Sequence, residues 1–127
     1  CKKEVKNNME IKNIKIPELG KKGFTVLTSN KNIRKMNQFQ LKMAKIADKQ
    51  SEDDMTMVMA ANIEAIEAVL VYLQEVLGLT DEQVEVLDNL EMQRTQEIAN
   101  YLSARLMGLS DKQIKEIEAS SESDPKE

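Results

Sequence analysis

Residues 78–87 read GLTDEQVEVL, and residues 108–117 read GLSDKQIKEI. In each copy the Gly suits the left-handed position that follows a helix. The hydroxyl residue suits the N-cap of the next helix, and the Gln three positions later completes a capping box. The corner residues are Gly78, Thr80 and Gln83 in the first copy and Gly108, Ser110 and Gln113 in the second. The repeated phrase therefore predicts a helix, a tight corner and another helix, twice.

The segment before the first corner is long and amphipathic. Residues 51–54 read SEDD, and we expect Ser51 to cap a helix whose first acids favour its positive end. The helix should run to Leu77. Apolar residues recur three and four apart along it, which predicts the central core helix. The apolar stripe consists of Met55, Met59, Ile63, Ile66, Leu70, Leu73 and Leu77, widened by Val58, Val69 and Val76.

The segment after the first corner has two interpretations. Residues 81–107 form one long helix, or a short helix over 81–91 bends into a second over 93–107. The repeat favours the second interpretation, because the segment 111–119 after the second corner matches 81–89. The fold class is then mainly α, a small bundle of about four to five helices.

The N-terminal part predicts a short β-hairpin or arm. Residues 10–16 and 24–28 are rich in β-branched side chains, and PELGKKG between them supplies turn residues. Two strands alone are marginal in water, so the arm packs on the helices or pairs with another chain. Ser29 and Asn30 are suited to cap a basic amphipathic helix over 31–49. We expect disordered or tag-like residues at 1–8, the arm at 9–29, a helical domain at 30–119 and a disordered tail at 120–127.

Composition excludes several kinds of chemistry. The 127 residues include one Cys and no His. A Ser–His or Cys–His nucleophile, an internal disulfide and a multi-Cys zinc site are therefore impossible within this sequence. The carboxylates lie mostly off the apolar stripes and indicate solvated faces, so we expect no enzyme, no cofactor and no metal. We also expect no membrane span, because Glu64, Glu67 and Glu75 interrupt the most apolar segment.

Charge is distributed unevenly along the sequence. Residues 1–50 contain 13 Lys and Arg against 4 Asp and Glu, a net charge of +9, whereas residues 51–127 contain 5 against 18, a net charge of −13. Such polarity suits an acidic partner at the basic end, or head-to-tail self-association. Two solvated surfaces without a partner are equally compatible with it.

Three functions are compatible with the sequence features described so far. GLSDKQIKEI is similar to the middle of a helix-turn-helix, but the −13 of residues 51–127 disfavours phosphate binding and hence DNA. A small regulatory adaptor has no sequence signature that would exclude it. Cys1 is compatible with the lipid-modified start of a surface lipoprotein, and also with the scar of a cloned fragment.

The cluster of Met55, Met57 and Met59 is a candidate binding feature, because Met adapts to irregular partners. Met57 points away from the stripe that the other two share. The alternative is that all three pack against the basic helix or the arm. We expect a partner surface among the apolar residues Met55, Met57, Met59, Ile63, Leu70, Leu73, Leu77, Tyr101 and Leu102.

Several of these features occur together in a known family. The lysine-rich start MEIKNIKIPELGKKGFTVLT, the acid-capped helix from SEDDMTMVM and the corner LGLTDEQVEVLDNLE resemble the tail assembly chaperones of long-tailed bacteriophages of Gram-positive hosts. The resemblance covers residues 9–119. It implies a non-enzymatic helper that acts in the host bacterial cytoplasm during phage assembly or prophage induction. Such a helper coats the tape measure protein, keeps it soluble, helps recruit tail tube subunits and is absent from the mature virion.

Overall fold

The computed structural model describes residues 10–123, and its architecture is mainly α, as predicted. A two-stranded antiparallel hairpin precedes five α-helices within these residues. The elements are β1 (Glu10–Ile14), a 3₁₀ turn (Pro17–Leu19), β2 (Phe24–Leu27), α1 (Asn30–Gln50), α2 (Met55–Leu77), α3 (Asp81–Asp88), α4 (Met92–Leu106) and α5 (Asp111–Ser123).

The hairpin packs on the helices, which is the first of the two alternatives given for the arm. β1 lies against α4, and β2 lies against α2. Ile14, Ile16 and Val26 are at most 1% exposed, so the hairpin supplies part of the core. Its 3₁₀ turn is tied to α4 by Glu18, which accepts hydrogen bonds from Nε and Nη2 of Arg94.

The hairpin contains one irregularity that depends on a glycine. Ile11 pairs with Val26 and Ile14 pairs with Phe24, so the register shifts between these pairs. Asn13 lies in this irregular segment with a φ of 63°. A Cβ on Gly23 would lie 2.7 Å from the Cα of Asn13. Backbone atoms cannot yield as a side chain can, so only glycine fits here without a shift.

The cap that begins α2 differs from the prediction. Asp54 is the N-cap, and its carboxylate accepts a hydrogen bond from the backbone N–H of Thr56 at 2.9 Å. Ser51 instead ends α1, and its hydroxyl donates to the carbonyl of Asp48. The prediction of Ser51 as the cap of α2 is therefore wrong. Ser and Asp cap helices about equally well, but α1 extends through Gln50 and Ser51 is its C-cap, so Ser51 is not available to begin α2.

Both copies of the repeated phrase form corners. Gly78 has a φ of 72° and Gly108 a φ of 99°, values that favour glycine. In the first copy the Thr80 hydroxyl accepts from the N–H of Gln83 at 3.1 Å, and the Gln83 side chain accepts from the N–H of Thr80 at 2.9 Å. The second copy has the same pair of hydrogen bonds, at 3.2 and 2.9 Å. The chain between the corners is divided into α3 and α4, as the repeat predicts.

The last helix is longer than expected. α5 continues to Ser123, beyond the expected end at 119 and into the segment predicted to be disordered. The predictions for residues 1–8, including Cys1, and for residues 124–127 concern residues outside the described part of the chain.

The core is built on close contact between α1 and α2. The face of α2 that meets α1 carries the small residues Ala61 and Ala65, both 0% exposed. Small side chains let the backbones approach, and larger residues fill the rest of the interface. The rings of Phe39 and Tyr72 stack with centroids 4.3 Å apart and an interplanar angle of 6°. α4 closes the core with Ile98, Ala99, Leu102 and Leu106.

Candidate functional site

The apolar stripe of α2 is only partly covered. Towards the C-terminal end of the helix, Leu73 and Leu77 are 0% and 8% exposed. Towards the N-terminal end, four residues of the same face stand in solvent. We call these residues the α2 stripe: Met55, Met59, Ile63 and Ile66, which are 67%, 58%, 58% and 38% exposed.

Only the second half of the apolar stripe of α2 therefore packs into the core, and the first half is exposed. The reason is tertiary. α3 and α4 return along α2 and cover the end that leads into the first corner. α1 covers a different side of α2, where Ala61 and Ala65 are buried. No other element within residues 10–123 is placed over the α2 stripe, so its residues keep much of their surface in water.

A small groove lies where the α2 stripe meets the covered half of the helix. Its volume is about 110 Å³. Ile66 and Leu70 form its α2 side. Leu87 and Leu90, near the bend that joins α3 to α4, form the opposite side. Met92, 43% exposed, stands at its edge. The groove and the α2 stripe are continuous through Ile66, which makes one apolar track along α2.

The track has acidic surroundings. Asp53 and Asp54 precede Met55 at its start, and Glu67 lies one helical turn beyond Ile63. Glu64 faces the other way, towards α1, where its carboxylate lies 3.5 Å from the Nζ of Lys49. Apolar side chains at helical spacing with acids beside them can bind an apolar helix face that carries basic residues.

The remaining predicted partner residues are distributed differently. Met57 is 42% exposed and lies two residues from Met55 and Met59, on another side of α2. Leu102, like Leu73 and Leu77, is a core residue and does not reach the surface. The alternative in which the three Met residues pack against the basic helix or the arm is wrong, because Met55, Met57 and Met59 are all exposed.

Tyr101 is half-buried and is held in a polar cluster at the second corner. Its hydroxyl donates to Oδ1 of Asp111 at 2.8 Å, and Arg105 donates to both of these residues. Burial, and then the hydrogen bond to Asp111, raise the pKa of Tyr101. The cluster fixes the start of α5 against α4, which is a structural role.

Sequence reasoning missed one buried polar contact. The hydroxyls of Tyr72 and Ser103 lie 2.8 Å apart in the core, and the Gln40 side chain donates to Ser103 at 3.4 Å. Burial raises the pKa of Tyr72. The sequence feature that could have indicated this contact is Ser103, which stands between two apolar residues in the buried stripe of α4. Among the described residues every buried side-chain nitrogen and oxygen has a hydrogen-bond partner, so this contact is satisfied.

A second groove lies between α1 and α2 and has a mixed lining. Its volume is about 270 Å³, and Phe39, Val71 and Tyr72 form its apolar floor. Lys35 and Glu75, whose charged groups are 2.9 Å apart, stand at its edge. Within residues 10–123 no group of three or more His, Cys, Asp or Glu is placed to hold a metal ion.

By length and composition alone, α2 could also cross a membrane. The core helix of a soluble protein meets the same criterion, and α2 contributes eight buried residues to the core of this chain.

Comparison with known proteins supplies the family. Residues 9–122 match the model of the phage tail assembly chaperone proteins, TAC, and the chain belongs to this family. Members of the family are in general non-enzymatic and act in the infected host cell during phage assembly. The comparison with curated proteins and the comparison with solved structures each found no match.

Proposed function

We propose that this chaperone binds helical segments of the phage tape measure protein along the α2 stripe and the adjoining groove. Bound copies coat the tape measure protein, keep it soluble and help recruit tail tube subunits. The chaperone acts by binding, without catalysis or a cofactor. It self-associates, works in the cytoplasm of a Gram-positive host and is absent from the mature virion.

The observation that carries the proposal is the exposure of the α2 stripe. Met55, Met59, Ile63 and Ile66 recur at spacings of four, four and three residues and are 38–67% exposed. An amphipathic helix docks on a surface whose anchors recur at this spacing. Two of the four are Met, whose flexible side chains adapt to different partners. A chaperone that covers a long client must accept many different helical segments.

The size of the stripe sets the strength of a single contact. Complete burial of one such side chain is worth roughly 1.5–3 kcal/mol. Because about half of each side chain is exposed, the four together offer roughly 3–7 kcal/mol. Association costs an estimated 4–15 kcal/mol in lost motion. One copy therefore binds weakly, and stable coating requires many copies that bind the same client side by side.

Co-expression with the tape measure protein tests the activity. The client should be insoluble alone and move to the soluble fraction when this chain is present. A client that stays insoluble at equal expression would refute the chaperone activity.

Two matched variants test the site. Met59→Glu places a charge in the α2 stripe and should return most of the client to the pellet, because an unpaired charge against an apolar helix is costly. Leu41→Glu changes a residue of α1 that is slightly more exposed than Met59, at 65%, and should leave client solubility unchanged. Equal loss in both variants would count against the α2 stripe as the binding surface.

A further inference from the structure

The two copies of the repeated phrase have different environments. Leu87 in the first copy is 0% exposed, whereas its counterpart Ile117 in the second copy is 55% exposed. α3 packs against α2 and against the 3₁₀ turn of the hairpin. α5 is held by α4, chiefly at its own start, where Asp111 accepts hydrogen bonds from Tyr101 and Arg105. The same apolar pattern is therefore covered in one copy and uncovered in the other.

We propose that α5 of one copy docks on the α2 stripe of a second copy, with Ile117 as the central anchor. The contact between α3 and α2 within one copy is the template for this docking. Leu87 of α3 lines the groove with Ile66 and Leu70, at the Ile66 end of the α2 stripe. Ile63 and Met59 continue the same face of α2, and each is 58% exposed. α5 carries the same apolar pattern as α3. Docked on a second copy, α5 can therefore extend along α2 the apolar contacts that α3 begins.

The two copies also differ in charge. Glu82 and Glu85 of the first copy are replaced by Lys112 and Lys115 in the second. The α2 stripe begins beside the acids of residues 52–54, and Glu67 flanks it. Both lysines lie on the side of α5 away from Ile117, just as Glu82 and Glu85 lie on the exposed side of α3. They make α5 less acidic than α3, which lowers the repulsion between α5 and the acids around the α2 stripe.

The lengths of the two elements also match. The α2 stripe spans Met55 to Ile66, about 17 Å of helix at 1.5 Å per residue. The 13 residues of α5 span about 20 Å. One helix pair of this length buries less than the roughly 1,200–2,000 Å² of a stable interface. The contact is therefore weak and reversible. A client helix can then displace α5 from the α2 stripe.

The contact joins two different surfaces, so each copy offers both and copies can add one after another. It shares the α2 stripe with the proposed client site, but it forms between copies of this chain alone and does not depend on the client.

Sedimentation velocity across a hundredfold range of concentration tests the contact on the purified chain. The wild type should form larger species as concentration rises. Ile117→Glu and Met59→Glu should each weaken self-association at least tenfold, and Leu41→Glu should match the wild type. Both altered positions are more than half exposed, so the fold should survive, and circular dichroism checks that it does.

A mixture of the two variants gives the sharper result. Ile117→Glu keeps an intact α2 stripe, and Met59→Glu keeps an intact α5. An equimolar mixture should therefore form heterodimers that stop at two copies. Self-association of Ile117→Glu equal to that of the wild type would overturn the proposal, and so would a mixture that stays monomeric. These outcomes are independent of client solubility, so the chaperone proposal and this contact can fail separately.

Discussion

Leu73 and Ile63 lie on the same face of α2, and their truncation should have very different consequences. Leu73 is 0% exposed and Ile63 is 58% exposed. Leu73→Ala removes buried methyl groups and leaves a cavity, a change that costs roughly 2–5 kcal/mol. Ile63→Ala removes mostly hydrated surface and gains helix propensity, so its effect should stay within about 0.5 kcal/mol.

Urea unfolding followed by circular dichroism measures both effects. For a cost of about 3 kcal/mol and a slope of about 1.5 kcal/mol per molar urea, Leu73→Ala should lower the midpoint by about 2 M. Ile63→Ala should shift it by less than about 0.3 M. The measurement belongs at low protein concentration, where self-association does not add to stability.

Equal large shifts would show that the first half of the face is buried after all. Equal small shifts would show that Leu73 is not a core residue. Either result refutes the division of the α2 face into a covered half and an exposed half.

Three further changes test other parts of the fold. Gly23→Ala should lower stability by roughly 1–3 kcal/mol in thermal unfolding, because its Cβ forces the neighbouring strand backbone to move. Tyr72→Phe removes the hydroxyl that contacts Ser103 and should cost about 1 kcal/mol in urea unfolding. Hydrogen bonds from Arg94 hold the pKa of Glu18 below its ordinary 4.5. The carboxylate therefore stabilises the fold above about pH 4.5, and this stabilisation is lost as pH falls through the lowered pKa. The stability gap between wild type and Glu18→Gln, less than about 1 kcal/mol for this partly exposed pair, should close in acid.

Each of these changes has a contradicting outcome. Full stability of Gly23→Ala would mean that the hairpin register differs from the one described. An unchanged Tyr72→Phe would mean that the buried hydroxyl contact contributes nothing. A stability gap for Glu18→Gln that widens as pH falls would contradict the sign of the Glu18 pKa shift.

The corners show how much local sequence determines. Gly78 followed by Thr80 and Gln83 specifies a helix end, a turn and a helix start through backbone conformation and short-range hydrogen bonds. All of these act within six residues, so they can be predicted without a tertiary structure. The β-branched residues around PELGKKG predicted the hairpin for the same reason.

The burial of α2 shows where local sequence is insufficient. Met59 and Leu73 have the same periodicity and similar hydrophobicity, yet one is exposed and the other is a core residue. Their difference depends on where α3 and α4 lie after the first corner, which the periodicity of α2 does not describe. The core also uses Ala61 and Ala65, whose value is their small size against α1. A search for large apolar residues at helical spacing overlooks them.

Site-specific photo-crosslinking during co-expression with the tape measure protein tests the client surface most directly. A benzophenone side chain is placed at position 59 in the α2 stripe and, in a matched control, at position 41 on α1. The chain is expected to form a crosslink to the tape measure protein from position 59 and little or none from position 41. Crosslinks from position 41 with none from position 59 would contradict the assignment of the α2 stripe as the surface that holds the client.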